Sequence, residues 1–555
     1  MTEQVTAERR KKNMDRSLIT LIVLAVICQC VTSASYEYGC VYCKGKSCQY
    51  KSSVMAGDCT ALGSYNDTLL ETGWGVLDIS AGYGKVKFTD QELMYGTGFM
   101  EGTMTYKRIY EHYQNAKDFF LSSKSEEYIS KLQAFLSIQD VWLRQMVENN
   151  LADPVWRHVG LVIDQYDGLI DGYKSVAPDN MKLDVFAFQV LNGAGDLIDL
   201  QHALDPESIP NWKKMSKEEA KLYVQRHGFC SALVKVTGAY ENVFMSHSSW
   251  FMYQFTMRIF KHWNINVQDS ATAAKQISFS SYPGFLESLD DFYLLGSNMV
   301  LLQTTNNVFN ASLYKMVHPR TLLAWQRVRV ASMMAHTGKE WAEIFAKYNS
   351  GTYNNQYMLV DLKQIELGKA INDDALWVVE QIPTRVTAGD QTPILRTGYW
   401  PSYNVPFYED IYNMSGYPEF VAQHGTDNSY QLAPRAKIFR RDQAKVVDLE
   451  SMKHIMRYND YQHDPYSEGD ACNAICCRGD LKNSGSSASG CYDTKVSDFH
   501  MAQNFVADII NGPTRGTGLP PFQWTEQFKD SHVGLPLVYS FEFLRTSPRW
   551  NVTFG

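Results

Sequence analysis

The placement of the cysteines restricts the fold of this chain more than any other feature of its sequence. Nine cysteines follow residue 34, as a group near each end and one between: Cys40, Cys43, Cys48 and Cys59; Cys472, Cys476, Cys477 and Cys491; and Cys230. An even number in each group is typical of disulfides formed in an oxidising compartment. Each group could instead hold zinc, although the adjacent Cys476 and Cys477 are poorly spaced for tetrahedral ligation. We therefore expect staples near both ends and one central thiol, either buried and inert or reactive.

The N-terminus has the pattern of a secretory signal peptide over residues 1–34. Basic residues at positions 9–12 and 16 precede an apolar run over 18–31, and small residues follow at 32–34. The run is shorter than the ~20 residues that a membrane-spanning helix needs, and an uncleaved signal anchor is the alternative. Cleavage would remove Cys28 and Cys30 and place the protein in a lumen or outside the cell. Four Asn-X-Ser/Thr sites then predict N-glycosylation, at Asn66, Asn310, Asn413 and Asn551.

Strand and helix patterns alternate along the chain and predict an α+β fold. Periodic apolar residues indicate helices over 109–149, from Pro154 onwards and over 319–348. Strand-like runs cover 73–82, 230–236, 242–247, 299–304, 356–361 and 376–381. A further helix is predicted from about Ser248, because Trp250, Tyr253, Met257 and Phe260 recur at spacings of three and four. Residues 35–64 form a Cys-rich N-terminal extension, and the charged residues 205–229 indicate an exposed linker before Cys230.

Composition and missing motifs exclude several classes of protein. Hydrophobic residues make up 45% of the chain and charged residues 20%, as in a folded globular protein. The net charge of −8 offers no general basic face for a nucleic acid. The sequence lacks a Walker A motif, a His-Glu-x-x-His pair and a Gly-x-Ser-x-Gly elbow. These absences argue against a P-loop NTPase, a zinc protease of that type and an α/β-hydrolase lipase.

Cys230 begins a predicted strand directly after the charged linker, and this position permits one particular chemistry. Its thiol can attack the carbonyl of Phe229, and hydrolysis of the resulting thioester leaves Cys230 with a free α-amine. Such an amine has a pKa near ~8, so at neutral pH it can accept the proton of the adjacent thiol. One residue then supplies both nucleophile and base. A buried structural cysteine is the alternative interpretation.

Six further segments share one distinctive order along the chain: 230–235, 247–250, 280–293, 348–357, 398–404 and 433–442. They resemble the phospholipase B-like family, most closely its type-1 subgroup, and the resemblance runs from about Tyr65 to near the C-terminus. It implies an N-terminal-nucleophile hydrolase fold of four layers, αββα, with two antiparallel sheets between helices. It also implies self-cleavage between Phe229 and Cys230, after which chains 65–204 and 230–555 stay associated. The resemblance does not extend to residues 35–64, whose role and cysteine pairing stay open.

The same resemblance implies a set of site residues around Cys230 as the nucleophile: His247, Trp250, Thr304, Asn404 and Arg435. His247 and Trp250 would line the pocket, and the Asn404 side chain would donate to the oxyanion. Arg435 would fix the site and favour both thiolate and oxyanion. Thr304 would lie near the nucleophile, with Thr305 as the alternative in register. Taken singly, each has a plainer interpretation, such as a structural histidine, a turn at Asn404 or an ion pair at Arg435.

The resemblance implies removal of acyl chains from glycerophospholipids through a thioester, in a lysosomal or secreted glycoprotein that needs no metal or organic cofactor. An amidase or peptidase acting on small N-acyl compounds is the second hypothesis, and a non-catalytic lipid-binding glycoprotein is the third. The expected partners are a phospholipid or a small acyl amide and the other processed chain, with a homodimer left open and no nucleic acid. The linker 205–229 would lie over the pocket until it is trimmed. In the C-terminal group we expect Cys472 to pair with Cys477 and Cys476 with Cys491.

Overall fold

The computed structural model describes residues 36–53, 58–226, 229–516 and 518–550. The predicted signal peptide and the Asn551 site lie outside these residues. Helices and strands are mixed throughout, which confirms the α+β prediction. Within the described ranges, no helix combines the length and the apolar character that crossing a membrane requires.

The strands, numbered along the chain, are β1 (Glu37–Lys44), β2 (Ser47–Ser52), β3 (Ala61–Thr68), β4 (Trp74–Ala81), β5 (Phe229–Val236), β6 (Val243–Met252), β7 (Arg258–Ile265), β8 (Gln276–Ser281), β9 (Tyr293–Leu295), β10 (Met299–Thr305), β11 (Asn355–Asp361), β12 (Ile365–Glu366), β13 (Ala370–Ile371), β14 (Leu376–Ile382), β15 (Arg385–Asp390), β16 (Tyr399–Ser402), β17 (Ser489–Cys491), β18 (Asp493–Asp498), β19 (Ala507–Asn511), β20 (Phe522–Gln523), β21 (Val538–Tyr539) and β22 (Leu544–Thr546).

Most of these strands belong to two large sheets. The larger sheet has eleven strands in the order β15-β14-β11-β10-β9-β8-β7-β4-β3-β1-β2. The smaller sheet has seven, in the order β16-β5-β6-β18-β19-β22 with β17 also paired to β6. Strands β4 and β7 run parallel over eight residue pairs, whereas their neighbours in the larger sheet pair antiparallel. The strands that precede the linker therefore join the rest of the larger sheet through β4.

The helices are α1 (Leu69–Thr72), α2 (Asp90–Met104), α3 (Tyr106–Phe120), α4 (Glu126–Asn149), α5 (Pro154–Val176), α6 (Val185–Asn192), α7 (Ala194–Leu204), α8 (Lys217–Arg226), α9 (Ala324–Met334), α10 (Gly338–Phe345), α11 (Thr392–Leu395), α12 (Glu409–Met414), α13 (Tyr417–His424), α14 (Pro434–Asp442), α15 (Leu449–Met456) and α16 (Phe499–Gln503).

Three apolar cores lie on the faces of the two sheets. One core contains residues of both sheets, such as Val234 of β5 and Leu302 of β10, so the sheets pack face to face. A second core packs the other face of the larger sheet against α2 to α7, α9 and α10. A third packs the other face of the smaller sheet, including Leu233 and Trp250, against α8 and α13 to α15. The alternation of side chains along each strand divides its residues between two cores.

Local sequence signals explain where several helices begin and how two of them pack. Helix α4 begins after Ser125, whose side chain accepts the Tyr128 N–H, and α5 begins at Pro154 after the cap Asp153. Helices α2 and α5 pack backbone to backbone along a line of four glycines: Gly98, Gly102, Gly168 and Gly172. A Cβ atom at any of them would lie 1.9–2.1 Å from a carbonyl oxygen of the other helix.

Two helix predictions are wrong in detail. No helix begins near Ser248, because β6 continues to Met252 and a short 3-10 turn leads into β7. Both strands are almost fully buried, so apolar residues occur at positions on either face and imitate a helical period. The helix predicted over 319–348 is divided into α9 and α10.

The Cys-rich segment is a folded edge of the larger sheet. Strands β1 and β2 form a hairpin that adds to β3. The disulfides Cys40–Cys59 and Cys43–Cys48 fasten this hairpin. At the other end of the chain, Cys472 pairs with Cys477 and Cys476 with Cys491, as expected from the resemblance. Among the described residues, Cys230 is the free cysteine.

Candidate active site

Cys230 lies near the start of β5, which pairs with β6 as the hairpin prediction requires. Ser249 of β6 lies directly across from Cys230, and Ala232 lies across from His247. Because side chains alternate along a strand, all four of these residues share one face of the smaller sheet. This face also carries Val234 and Met245, which belong to the core between the sheets. Cys230 is 7% exposed, so its thiol is almost entirely enclosed.

Asn404 holds the backbone nitrogen of Cys230. Strand β16 pairs with β5 so that Ser402 lies across from Ala232, which brings Asn404, two residues further on, level with Cys230. The Cys230 N–H donates to Asn404 Oδ1 at 3.0 Å, and Asn404 Nδ2 donates to the Thr305 carbonyl. Asn404 has a φ of +66°, a left-handed conformation that asparagine tolerates better than most residues. The turn that was the plainer interpretation of Asn404 is thus present, and it aims the side chain at Cys230.

Arg435 holds the other end of the Cys230 peptide unit. It lies in the first turn of α14, where Nη1 donates to the Cys230 carbonyl and Nη2 donates to the Tyr403 carbonyl at 2.7 Å. The guanidinium also stacks on the Trp250 ring, 4.5 Å from its centroid. Burial lowers the pKa of Arg435 to about 9, so the side chain stays cationic at neutral and acidic pH. Arg435 and Asn404 therefore fix Cys230 from both sides through its backbone.

The thiol itself is not activated in the uncut chain. Burial raises the pKa of Cys230 to about 12, and the charges of Asp290 and Asp493 act in the same direction. The backbone of Trp250 and the charge of Lys495 offset only part of this shift. A thiol of this kind needs a proton acceptor beside it before it can act as a nucleophile.

His247 is neutral and its ring is held by Lys495. Burial, followed by the charge of Lys495, keeps the pKa of His247 well below its usual range. Lys495 Nζ lies 3.0 Å from His247 Nδ1. Because a lysine ammonium can only donate, this contact leaves the ring proton on Nε2. His247 is not among the residues that line the two cavities beside Cys230.

Thr304 and Thr305 occupy different places. Thr304 is fully buried, and its hydroxyl shares a hydrogen bond of 2.6 Å with Ser402 and accepts the Asn404 N–H at 3.4 Å. Thr305 lines the same cavity as Cys230. Thr305, the register alternative, therefore shares the cavity of Cys230, while Thr304 supports the segment that carries Asn404.

Two small cavities meet at Trp250, which lines both. The first contains Cys230 and is walled mainly by apolar and aromatic side chains: Phe120, Ala194, Ile198, Phe251, Tyr282, Leu289, Tyr353 and Tyr492. The second, here called the polar cavity, contains Arg435 and is lined by apolar residues together with five further polar side chains: Lys221, Gln225, Asp427, Asn428 and Asn473. Each measures about 40 Å³, which leaves room for only a few water molecules.

Helix α8 of the linker closes the polar cavity. Its Ala220 and Val224 are buried in the third core, and Lys221 bridges Asp427 and Asp470 at 3.1 Å each. Val224 also lines the polar cavity with Arg435. The linker is thus not simply exposed, because one side of α8 packs on the body of the protein.

A buried charged network beside Cys230 was missed from the sequence: Arg258, Asp290, Asp493 and Lys495. Asp290 falls in the segment 280–293 that carried part of the resemblance, but nothing there distinguished it from a surface aspartate. Strand β18 is polar at most positions, so its sequence does not predict a buried strand. Only the pairing of β18 with β6, which sets Lys495 across from His247, reveals the network.

Comparisons with known proteins match most of this chain. A family model described as Phospholipase B matches residues 61–546. Phospholipase B-like 1 of Rattus norvegicus is 50% identical over 491 residues, which cover 88% of each chain. Phospholipase B-like 1 of Homo sapiens is 50% identical over 505 residues, 91% of this chain and 90% of the relative. Phospholipase B of Crotalus adamanteus is 48% identical over 521 residues, 93% of this chain and 94% of the relative. With most of its length matched in this way, the chain belongs to the phospholipase B family.

Proposed function

We propose that this protein is an N-terminal-nucleophile hydrolase that removes acyl chains from glycerophospholipids through a thioester on Cys230. The observation that carries the proposal is the hold on Cys230, whose N–H is bound by Asn404 and whose carbonyl is bound by Arg435. Packing supports the αββα arrangement of that class, because helices cover the outer faces of both sheets. The names of the family relatives support a phospholipid as the substrate class.

Self-cleavage would precede catalysis. The Cys230 thiol adds to the Phe229 carbonyl, the C–N bond of that peptide breaks as the amine takes a proton, and water hydrolyses the thioester. The new α-amine would keep its hydrogen bond to Asn404 Oδ1, beside its own thiol. That amine is the proton acceptor that the protonated thiol lacks in the uncut chain. Autoprocessing would thus create the general base and leave two associated chains, one that ends at Phe229 and one that comprises residues 230–555.

Once opened, the two cavities would accept the two ends of an amphipathic substrate. An acyl chain would enter the apolar cavity beside Cys230, and the polar head would leave past Arg435 on the other side of Trp250. The thiolate would attack the acyl carbonyl, the glycerol oxygen would depart with the proton held by the α-amine, and water would then release the fatty acid. Asn404 Nδ2 has a second N–H besides the one given to Thr305, and this N–H would be the donor to a developing oxyanion.

The small volume of both cavities supports a role for the linker as a cover. Neither can hold a phospholipid while Lys221, Val224 and Gln225 of α8 wall the polar one. We therefore propose that the linker 205–229 is trimmed after self-cleavage and that trimming opens the site. Asn413 is exposed on a groove of about 910 Å³ beside linker residues 206–213, and Asn310 lies on the same groove. Glycosylation at these two sites and at Asn66 would suit a lysosomal or secreted protein.

Intact mass and N-terminal sequencing test the first step. Wild-type protein from a secretory host should contain a fragment that begins at Cys230, and a Cys230→Ala variant should stay uncut. A single uncut wild-type chain would overturn the mechanism and leave a lipid-binding glycoprotein. The processed protein would then receive a glycerophospholipid and a matched N-acyl amide. Release of fatty acid from the ester supports a phospholipase, whereas release from the amide alone would reassign the substrate to the amidase class.

A further inference from the structure

A cluster of charged side chains lies buried beside Cys230. Lys495 Nζ lies 2.5 Å from Asp290 Oδ2 and 2.7 Å from Asp493 Oδ1. The same ammonium lies 2.7 Å from Ser249 Oγ and 3.0 Å from His247 Nδ1. All of these side chains are at most 3% exposed. A lysine without water contact therefore has all its donors directed at four buried partners.

Three of these side chains are arranged as in a metal-ion site, and the Lys495 ammonium occupies the position of the ion. Ligand atoms of His247, Asp290 and Asp493 lie within 4.8 Å of one another, an arrangement that could hold a metal ion. Lys495 contacts all three, so its ammonium already occupies the position between them. Arg258 adds a second positive charge, 2.9 Å from Asp290 and 3.0 Å from Asp493. Two cations thus balance two carboxylates, as a buried cluster requires.

The network reaches Cys230 through strand β6. Ser249 lies across from Cys230, its N–H donates to Asp493 Oδ1 at 3.0 Å, and its hydroxyl accepts from Lys495. Asp290 lines the cavity that also contains Cys230. Both the backbone and the side chain of the residue facing the nucleophile are therefore held by this network.

We propose that Lys495 is a positioning residue for Cys230. The Lys495 ammonium holds Ser249 across from the thiol and offsets the negative charges of Asp290 and Asp493 there. The inference rests on the proposed role of Cys230 as the nucleophile. Lys495 favours the thiolate, whereas Asp290 and Asp493 disfavour it. Arg435 of α14 and Tyr353, before β11, also interact electrostatically with the thiol, and Tyr282 and Tyr492 line the same cavity.

The rate at which iodoacetamide alkylates Cys230 tests this role in the full chain. At a mildly alkaline pH below the thiol pKa, the rate rises both with the thiolate fraction and with the accessibility of the thiol. Lys495→Met should slow alkylation on the order of tenfold, and Asp290→Asn should accelerate it by a similar factor, since one nearby charge shifts a pKa by about one unit or more. Intact mass follows the reaction, and a Cys230→Ser chain gives the background.

Lys261 and Glu101 provide matched controls. They form an equally buried ion pair at 2.7 Å between β7 and α2 and do not line the cavity of Cys230. Lys261→Met and Glu101→Gln should therefore loosen the protein without changing the thiolate fraction. General loosening exposes Cys230 and can only accelerate alkylation, so a slower Lys495→Met variant cannot arise from lost stability.

The proposal is overturned if Lys495→Met reacts as fast as wild type or faster. If that variant does not fold, Asp290→Asn and Asp493→Asn decide the question against Glu101→Gln. Both should exceed the control on the order of tenfold, and equal rates would overturn the proposal. Alkylation needs neither self-cleavage nor turnover. An uncut wild-type chain would therefore refute the proposed function without affecting this measurement.

Discussion

Asp78 should make the folded protein more stable at acidic pH than at neutral pH. It lies in β4, where Oδ1 accepts the Arg549 N–H at 2.8 Å and Oδ2 has no partner among the described residues. The side chain belongs to a residue that is 3% exposed. Burial raises the pKa of Asp78 from 3.8 to about 7, although the backbone N–H and the charge of Arg549 offset part of the effect.

The sign and the size follow from proton binding. Below pH 3.8 the carboxyl is protonated in both folded and unfolded chains, and above about pH 7 it is ionised in both. Between these values only the folded protein keeps the proton, so the free energy of unfolding falls as the pH rises. Each pH unit in this window is worth about 1.4 kcal/mol. From pH 5 to pH 7 Asp78 should therefore remove about 2 kcal/mol, because at pH 7 about half of the folded molecules still keep the proton.

Urea unfolding at pH 5, 6 and 7 measures this effect in wild type and Asp78→Asn. The asparagine has the same shape and still accepts the Arg549 N–H, but it does not titrate. The stability of the variant relative to wild type should therefore increase by about 2 kcal/mol between pH 5 and pH 7. Asp179→Asn is the control, because Asp179 lies on the surface with a 94% exposed side chain. A wild-type-to-variant difference that is the same at all three pH values would refute the reasoning.

Three further changes test the packing and the site. Gly98→Ala should destabilise the protein by about 1–3 kcal/mol in urea unfolding, because its Cβ would lie 1.9 Å from a carbonyl oxygen of α5. Gly160→Ala on α5 is the control, since its Cβ would meet only a valine side chain. Equal losses would contradict this view. Arg435→Lys should slow the appearance of the Cys230 N-terminus on the order of tenfold, as measured by intact mass, because lysine cannot donate to both carbonyls in the same geometry. Arg440→Lys, on the exposed side of α14, is the control and should leave this rate unchanged. Lys221→Met should accelerate alkylation of Cys230 by releasing α8 from two aspartates, and an unchanged rate would show that α8 is held by its apolar contacts.

Local sequence patterns predicted the elements around Cys230. They did not predict features that depend on contacts between segments far apart in the sequence. The hairpin of β5 and β6 could be predicted because its strands are short, apolar and joined by a turn. The resemblance placed Asn404 and Arg435, and the structure brings both to the backbone of Cys230. The helix expected at Trp250 failed, since a strand buried on both faces has no alternation to distinguish it from a helix.

The choice between Thr304 and Thr305 shows a second limit. Neighbouring residues of a strand point to opposite faces, so an error of one residue in register changes the role that is predicted. Here Thr305 lines the cavity, whereas Thr304 is buried and bonds Ser402. Lys495 shows a third, because its partners come from strands and loops far apart in sequence and its own strand carries no apolar pattern. Pairing of distant strands, rather than local preference, creates such a network.

The parallel pairing of β4 with β7 has a consequence for how the protein could fold and unfold. A chain cut before Cys230 would keep its two fragments interlocked, with four strands of the larger sheet and helices α1 to α8 on one of them. Once such a pair is fully denatured, recovery becomes an encounter between two molecules, and its rate depends on concentration. The uncut precursor would fold as one chain, whereas the cut protein would persist by the slowness of its unfolding. Its lifetime would then be set by the rate at which it unfolds rather than by its equilibrium stability.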